Sequence, residues 1–478
     1  MNFVSGAWIS GCSAIANINP SDTSDVLGEF AQASAAQVGA AVEAAAAAQP
    51  LWERTGLEAR QAVLMQIGNE LMARADELGR LLSREEGKPF GEGRGEVYRA
   101  GQFFTYYAAE VLRQIGETAD SVRAGIEVDI RREAVGVVAV ISPWNFPVAT
   151  ASWKIAPALA FGNAVVWKPA NLTPATAVAL TEIISRTALP EGAFNLIMGS
   201  GAEAGQALIS HPAVNAISFT GSLDVGRQVN RAAADNLVRV QLEMGSKNAL
   251  VVMDDCDVEL AVKHALNGAF GGTGQKCTAS SRLIVHKAVL RDFTARLVAG
   301  AKALKVGHAL DEGTEMGPVV SAAQLHSNLS YVELGKAEGA KLVAGGIALE
   351  GRTQGFYMAP TIFAETDNAM RINREEIFGP VTAIIPASSY EEALAITNDT
   401  RFGLTAGIMT QSLARATHFR RNVKSGCVMV NLPTAGTDYH VPFGGRGDSS
   451  LGPREQGRHA VHFYTAVKTS YISSGAPL

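Results

Sequence analysis

The stretch Gly272-Thr273-Gly274-Gln275-Lys276-Cys277-Thr278 has the residue types of a covalent catalyst, with Cys277 as its nucleophile. Glycines at 271, 272 and 274 let the backbone come close to a ligand and take φ values closed to other residues. Lys276 puts a cation next to the sulfur in the chain, and the thiolate is the reactive form of cysteine. Cysteine in a globular chain is more often a small buried hydrophobe. The assignment therefore depends on what the rest of the sequence supplies.

Other reactive side chains stand at the ends of short apolar runs. Leu242-Glu243-Met244-Gly245 sets a carboxylate among apolar neighbours, where burial raises its pKa and makes it a usable base near neutrality. In Ser142-Pro143-Trp144-Asn145-Phe146-Pro147, two prolines and two aromatics fix a loop that holds the Asn145 amide. That amide could donate to an oxyanion, or it could simply satisfy a turn. Trp167-Lys168-Pro169-Ala170-Asn171 lies at the C-terminal end of a strand, the edge where open α/β sheets bind ligands. Lys168 there could bond ribose hydroxyls or be an exposed strand-end lysine. Phe219-Thr220-Gly221-Ser222-Leu223-Asp224-Val225-Gly226 follows a strand and opens a helix, whose free N–H groups favour a pyrophosphate. Its G-x-x-x-x-G spacing departs from G-x-G-x-x-G and also fits an ordinary strand-to-helix turn.

The elements that must position these groups alternate. Short strands and turns occupy residues 1–30, followed by helical stretches at Ser34–Ala48, Leu57–Glu85 and about Gly93–Ile115. Apolar runs at Gly136–Ile141, Asn163–Trp167, Phe194–Met198, Ala216–Phe219 and Val238–Leu242 read as strands between helices. Thr173 with Pro174 reads as a helix cap and first turn. The rhythm resumes with Arg282–His286 and Leu290–Leu304, giving two α/β lobes with the cysteine near their junction. Residues 120–134 and 460–472 have no slot in that rhythm. They read either as an outlying hairpin with a terminal strand, a flap for self-association, or as edge strands of the main sheets.

The 478 residues, 47% hydrophobic and 18% charged, allow two or three well-buried domains and exclude a disordered chain. A net charge of −5 without a long basic run makes nucleic acid and anionic membrane poor partners. Residues 1–11 lack a signal-peptide pattern, and no stretch reaches the roughly 20 apolar residues that span a bilayer. Cysteines at 12, 256, 277 and 427 form no C-x-x-C pair or zinc-type spacing, so neither a disulfide framework nor a metal site is expected. The cytoplasm is the expected location.

The joint order of the motifs narrows the alternatives. P-W-N-F-P, K-P-A, F-T-G-S-x-x-x-G, L-E-M-G-x-K-N, G-Q-x-C, Glu375-Glu376-Ile377-Phe378-Gly379-Pro380 and Pro442-Phe443-Gly444-Gly445 appear in sequence. In this the chain resembles the aldehyde dehydrogenase superfamily along essentially its whole length. The resemblance implies an α/β fold with a Rossmann-type cofactor domain, an α/β catalytic domain and a small β oligomerisation flap. Its implied domain boundaries are 1–118 with 135–243 for dinucleotide binding, 244–447 for catalysis, and 119–134 with 460–478 for self-association. The implied activity is NAD(P)-dependent oxidation of an aldehyde to an acid. Cys277 attacks the aldehyde to give a thiohemiacetal, hydride leaves to the nicotinamide, and the thioester is hydrolysed by water that Glu243 activates. Asn145 and the Cys277 N–H are the implied oxyanion hole. Ser142, Trp144, Lys168, Asn171, Thr220, Gly221, Ser222, Gly226, Met244, Glu376 and Phe378 are the implied cofactor contacts.

Two positions depart from the pattern. Asn171 stands where NAD-preferring members often carry a glutamate that accepts from both adenosine ribose hydroxyls. A neutral side chain removes repulsion against a 2′-phosphate, so use of NADP as well as NAD is expected. Ser246 replaces a usual glycine, without an evident consequence in the sequence alone.

Asn431–Pro442 and Gly452-Pro453-Arg454-Glu455-Gln456-Gly457 are similar to the bacterial α-ketoglutarate semialdehyde branch. That branch oxidises 2,5-dioxopentanoate to 2-oxoglutarate; succinate or glutarate semialdehyde, or a broad aldehyde range, is the alternative. An anionic tail needs a cation, and Arg99 and Lys276 are the candidates. Trp153, Thr278 and Phe443 complete the expected substrate contacts, Trp153 as an apolar wall. A coenzyme-A-acylating branch would lack the base at Glu243. A cysteine hydrolase would need a histidine, and none of the nine lies in these motifs. A non-catalytic nucleotide-binding protein has no reason to keep Cys277, Glu243 and Asn145 together. The expected partners are a small aldehyde and further copies of the chain, as a dimer or a dimer of dimers.

Overall fold

Valine-rich runs become strands covered on both faces. Along Val137–Ile141, Val138 and Val140 enter one core with Trp52, Leu64 and Leu159, while Val137 and Ala139 enter another with Val38 and Ile217. That period of two fixes the register, since a slip of one residue would exchange the faces. A computed structural model describes residues 1–473 and 475 of the chain. Its largest sheet has eight strands, ordered Ser450–Leu451, Arg239–Glu243, Ala216–Thr220, Val137–Ile141, Ala164–Lys168, Phe194–Leu196, Asn2–Val4 and Ala7–Ile9. The inner neighbours run parallel and the outer strands antiparallel.

A second sheet of seven strands orders Lys341–Ala344, Thr361–Ala364, Val381–Ala387, Arg282–His286, Ala249–Val252, Thr405–Met409 and Cys427–Val430. It too is sandwiched: Leu250 and Val252 face one core, Ala249 and Val251 the other. Thr465–Ser473, Ile126–Ala134 and Glu117–Asp120 form a separate antiparallel sheet of three strands. Of the two readings of these residues, the outlying hairpin with a terminal strand is the one observed. Residues 474 and 476–478 of the expected self-association segment lie outside the described residues. No helix among the described residues is long and apolar enough to cross a membrane.

Three local expectations need correction. The first helix continues past Ala48 and through Pro50 to Arg54. Its last turn is held by buried Trp52, whose indole N–H donates to the Leu159 carbonyl at 2.9 Å. The stretch expected as one helix to Glu85 breaks at Arg74 into Leu57–Ala73 and Ala75–Glu86. Asp76 and Glu77 then occupy the first turn of a new helix, where acids are favourable. Thr173 precedes Pro174–Ser185 but makes no capping bond. The buried Glu85 carboxylate does that work from another helix, accepting from Thr176 N at 3.0 Å and from the Thr176 hydroxyl at 2.7 Å. It accepts from Ala175 N as well.

Removing that cap leaves buried N–H groups without acceptors. Glu85→Ala should lower unfolding stability by about 2 kcal/mol, read as a shift of the urea midpoint at constant slope. An unchanged midpoint would mean that water replaces the carboxylate freely.

Candidate active site

The sulfur sits on a backbone that few residues could adopt. Gly272, Thr273 and Gly274 have φ of 57°, 58° and 66°, three consecutive left-handed residues. A Cβ at Gly274 would lie 2.2 Å from the Gly379 carbonyl oxygen, so only glycine fits. Thr273, the non-glycine among them, is anchored by its hydroxyl, which donates to Gly317 O at 3.1 Å. Side-chain amides hold the backbone from Gln275 to Ala279. Asn248 Nδ2 donates to Cys277 O at 2.7 Å and to Ala279 O at 3.0 Å, and Asn145 Nδ2 donates to Gln275 O at 2.9 Å. Ser246 acquires a role here: its hydroxyl donates to Asn248 Oδ1 at 2.7 Å, bracing the amide that holds the Cys277 carbonyl.

Two cavities meet at Cys277. One, of about 250 Å³, is lined by Trp144, Asn145, Thr220, Gly221, Ser222, Glu243, Met244, Glu376 and Phe378. The other, of about 370 Å³, is lined by Arg99, Phe103, Lys276, Thr278 and Thr437. Cys277, Phe146, Trp153 and Phe443 belong to both walls. The half-buried thiol thus stands between two chambers, each large enough for part of a reactant.

Charge around the sulfur differs from the expectation. Burial pushes the Cys277 thiol well up, and the Glu376 and Glu243 carboxylates push it further. Lys276 does not offset this, because its ammonium turns back over the loop to Glu92 at 3.5 Å. Glu243, at the end of its strand, is buried, and its Oε2 accepts from the Ser450 hydroxyl at 2.6 Å. Burial and the nearby Glu455 raise its pKa well above the ordinary carboxylate value, against the pull of Ser450, Lys154 and Arg454. Glu376 is pushed up to about 7 by burial, tempered by the Ser246 N–H that donates to it at 2.8 Å and by Lys247. Its carboxylate lies against Gly245, where a Cβ would come within 2.1 Å. Asn145 Nδ2 makes one hydrogen bond among the described residues and carries a second hydrogen.

The first cavity suits a dinucleotide end. The ring of Phe378 meets that of Trp144 edge-on at 5.4 Å, making an aromatic corner beside the sulfur. The buried Thr220 hydroxyl has no hydrogen-bond partner among the described residues. Ser222 caps Leu223–Asp235 by accepting from Val225 N at 3.4 Å, which leaves its O–H free to donate. Gly226 packs against the Met244 sulfur and lines neither cavity.

Ser142, Lys168 and Asn171 also lie outside both walls. Ile141 and Lys168 are paired strand-end neighbours, so these three continue along the same sheet edge. Ser142 accepts from the Trp167 indole at 2.8 Å. Lys168 is buried rather than exposed, donates to Pro169 O at 3.1 Å, and has its pKa lowered to about 8 by burial. Asn171 Nδ2 donates to Gln32 Oε1 at 3.2 Å.

Several wall residues lie outside the sequence motifs. Gln324 donates to Ile377 O and Phe378 O from the helix Ala322–Ala337 and reaches the first cavity. Glu92, Glu96 and Phe103 line the second. With Arg99 they form a stripe at positions 92, 96, 99 and 103 of Phe90–Val111, and that helical spacing could have revealed them.

The chain is similar to known proteins over nearly its whole length. Residues 8–470 match the model of the aldehyde dehydrogenase family. An alpha-ketoglutaric semialdehyde dehydrogenase of Bacillus subtilis is 42% identical over 99% of this chain and 98% of its own. A 2,5-dioxopentanoate dehydrogenase of Saccharolobus solfataricus is 38% identical over 97% of each chain. Among solved structures, betaine aldehyde dehydrogenase of Staphylococcus aureus in complex with NAD+ superposes with a TM-score of 0.97 at 32% identity, covering 100% of this chain and 95% of its own.

A thiol raised by burial and two acids has little thiolate at neutral pH. Alkylation of Cys277 by iodoacetamide in cofactor-free protein should therefore keep rising beyond pH 9. A plateau reached by pH 7.5 would show a thiolate stabilised by some other group.

Proposed function

The chain belongs to the aldehyde dehydrogenase family and is an NAD(P)-dependent oxidoreductase of that type, and on that premise we propose that it oxidises α-ketoglutarate semialdehyde to 2-oxoglutarate through covalent chemistry at Cys277. The observation that carries the reading is the sulfur at the meeting point of two differently lined chambers. The chamber with Trp144, Thr220, Ser222, Glu376 and Phe378 takes the nicotinamide end, and the one with Arg99 and Lys276 takes the aldehyde. The dinucleotide, when bound, supplies the hydride acceptor.

The remaining work falls to the protein. Cys277 gives up its thiol proton to Glu243, which passes it to solvent water, as Sγ forms a bond to the aldehyde carbon; the second hydrogen of Asn145 Nδ2 donates to the oxygen that gains charge, together with the Cys277 N–H. Loss of hydride leaves a thioester on the sulfur. Glu243 then takes a proton from water attacking that thioester, and the acid and free thiol are released. A buried carboxylate with a raised pKa suits this exchange, since it can hold the proton near neutral pH. Lys168, Asn171, Met244 and Gly226 hold the rest of the cofactor along the sheet edge. Trp153, Thr278 and Phe443 enclose the substrate chain, and Arg99 anchors its carboxylate.

Residues 1–118 and 135–243 serve as the cofactor-binding unit and 244–447 as the catalytic unit. The three-stranded sheet mediates self-association, supported by the exposed Val467, Tyr471 and Ile472 on its terminal strand. A neutral Asn171–Gln32 pair at the adenosine end supports use of both NAD and NADP.

A panel of α-ketoglutarate, succinate and glutarate semialdehydes with benzaldehyde and hexanal, each with both cofactors, tests the substrate. The keto acid should give the highest kcat/KM, and equal values across the panel would overturn the assignment. Cys277→Ala should abolish turnover with cofactor affinity unchanged; appreciable residual oxidation would remove Cys277 as nucleophile. Asn171→Glu should shift the ratio of specificity constants towards NAD by about tenfold or more, the scale of one like-charge contact. An unaltered ratio would place 2′-phosphate reading elsewhere.

A further inference from the structure

Besides Cys277, four side chains that can carry charge face the larger cavity: Glu92, Glu96, Arg99 and Lys276. Glu96 is committed elsewhere. Its Oε1 accepts from Val148 N at 3.0 Å and Ala149 N at 3.1 Å, and its Oε2 pairs with buried Lys88 at 2.7 Å. Arg99 has no carboxylate partner among the described residues, and its guanidinium lies over the Tyr439 ring at 5.4 Å. Glu92 and Lys276 face each other. Glu92 Oε2 is 3.5 Å from Lys276 Nζ, while Glu92 Oε1 accepts from Gly272 N at 3.0 Å.

This pair is built into the loop that carries the sulfur. A Cβ at Gly272 would lie 2.6 Å from Lys276 Cε, and one at Gly271 would lie 2.9 Å from Lys276 Nζ. The two glycines therefore clear the path by which the lysine folds back to the acid. The Gly272 N–H in turn pins the acid, so it cannot swing away when a substrate carboxylate arrives. Burial would raise the Glu92 pKa, but Lys276, Lys88 and the Gly272 N–H outweigh it and hold the group ionised at neutral pH.

We propose that Glu92 sets the charge selectivity of the aldehyde site: by neutralising Lys276 it leaves Arg99 as the uncompensated cation, so the cavity accepts aldehydes bearing one carboxylate and discriminates against those bearing two. A second carboxylate could reach Lys276 only by displacing Glu92 from it, and it would then face the pinned acid as a like charge. The inference rests on the larger cavity being the aldehyde site and deepens that reading from one substrate to a charge class.

The test uses the intact enzyme with its cofactor and a matched series: hexanal, 6-oxohexanoate and (4-oxobutyl)malonate, bearing zero, one and two carboxylates. Glu92→Gln keeps an acceptor for Gly272 N and removes the charge. It should raise the kcat/KM ratio of dianion to monoanion about fivefold, the scale of one partly exposed ion pair. Because the readout is a ratio between substrates, any change in thiol reactivity cancels. Arg99→Gln should lower the monoanion relative to hexanal by about tenfold. Equal changes for all three aldehydes in Glu92→Gln would make Glu92 a structural strut only and overturn the proposal, as would a wild-type enzyme that favours the dianion. Failure of the α-ketoglutarate semialdehyde assignment would appear separately, as no preference for that compound in the panel while the charge ratio still responds to Glu92→Gln.

Discussion

The loops that carry Asn145 and Cys277 depend on carboxylates of one helical hairpin that reach out to backbone N–H groups of other elements. Glu85 takes the free N–H groups at the start of Pro174–Ser185, Glu96 takes those before Ala149–Ala160, and Glu92 takes Gly272. Lys88 lies among these acids and donates to the Asn145 carbonyl at 2.6 Å, with its ammonium 4.1 Å from the Phe146 ring centroid. The Asn145 loop and the Cys277 loop are therefore referenced to the same pair of helices. Each bond satisfies a group that would otherwise be buried without a partner, where loss of one side costs more than the bond itself contributes.

Burial raises three acids around the sulfur. Cys277, Glu243 and Glu376 are all raised, each chiefly by burial, and the two carboxylates add to the shift of the thiol. A positive charge brought beside them would shift all three towards ionisation.

What could be read from the chain was whatever depended on position along a strand. Glu243 and Thr220 end apolar runs, so their placement at one sheet edge followed from periodicity, and Trp144 and Asn145 followed from the prolines that fix their loop. What could not be read depended on partners far away in sequence. Thr173 looks like a cap, but Glu85 performs that function from a helix far earlier in the chain, and no local pattern announces it. The first helix reads as ending at Ala48, but Trp52 is buried against Leu159 and the helix runs on through Pro50. Lys276 looks like a neighbour of the sulfur, yet its charge belongs to Glu92 on another helix. Ser246 gained meaning only once Asn248 was seen to hold the Cys277 carbonyl.

The contact between Gly274 and the Gly379 carbonyl has a consequence for heredity. One segment presents Cys277 and the other presents Glu376 and Phe378, and a side chain at Gly274 would collide with the Gly379 carbonyl where they touch. A sulfur-bearing loop transplanted into a scaffold lacking that second segment would arrive without its seat. Descendants of this chain must pass these two pieces on together.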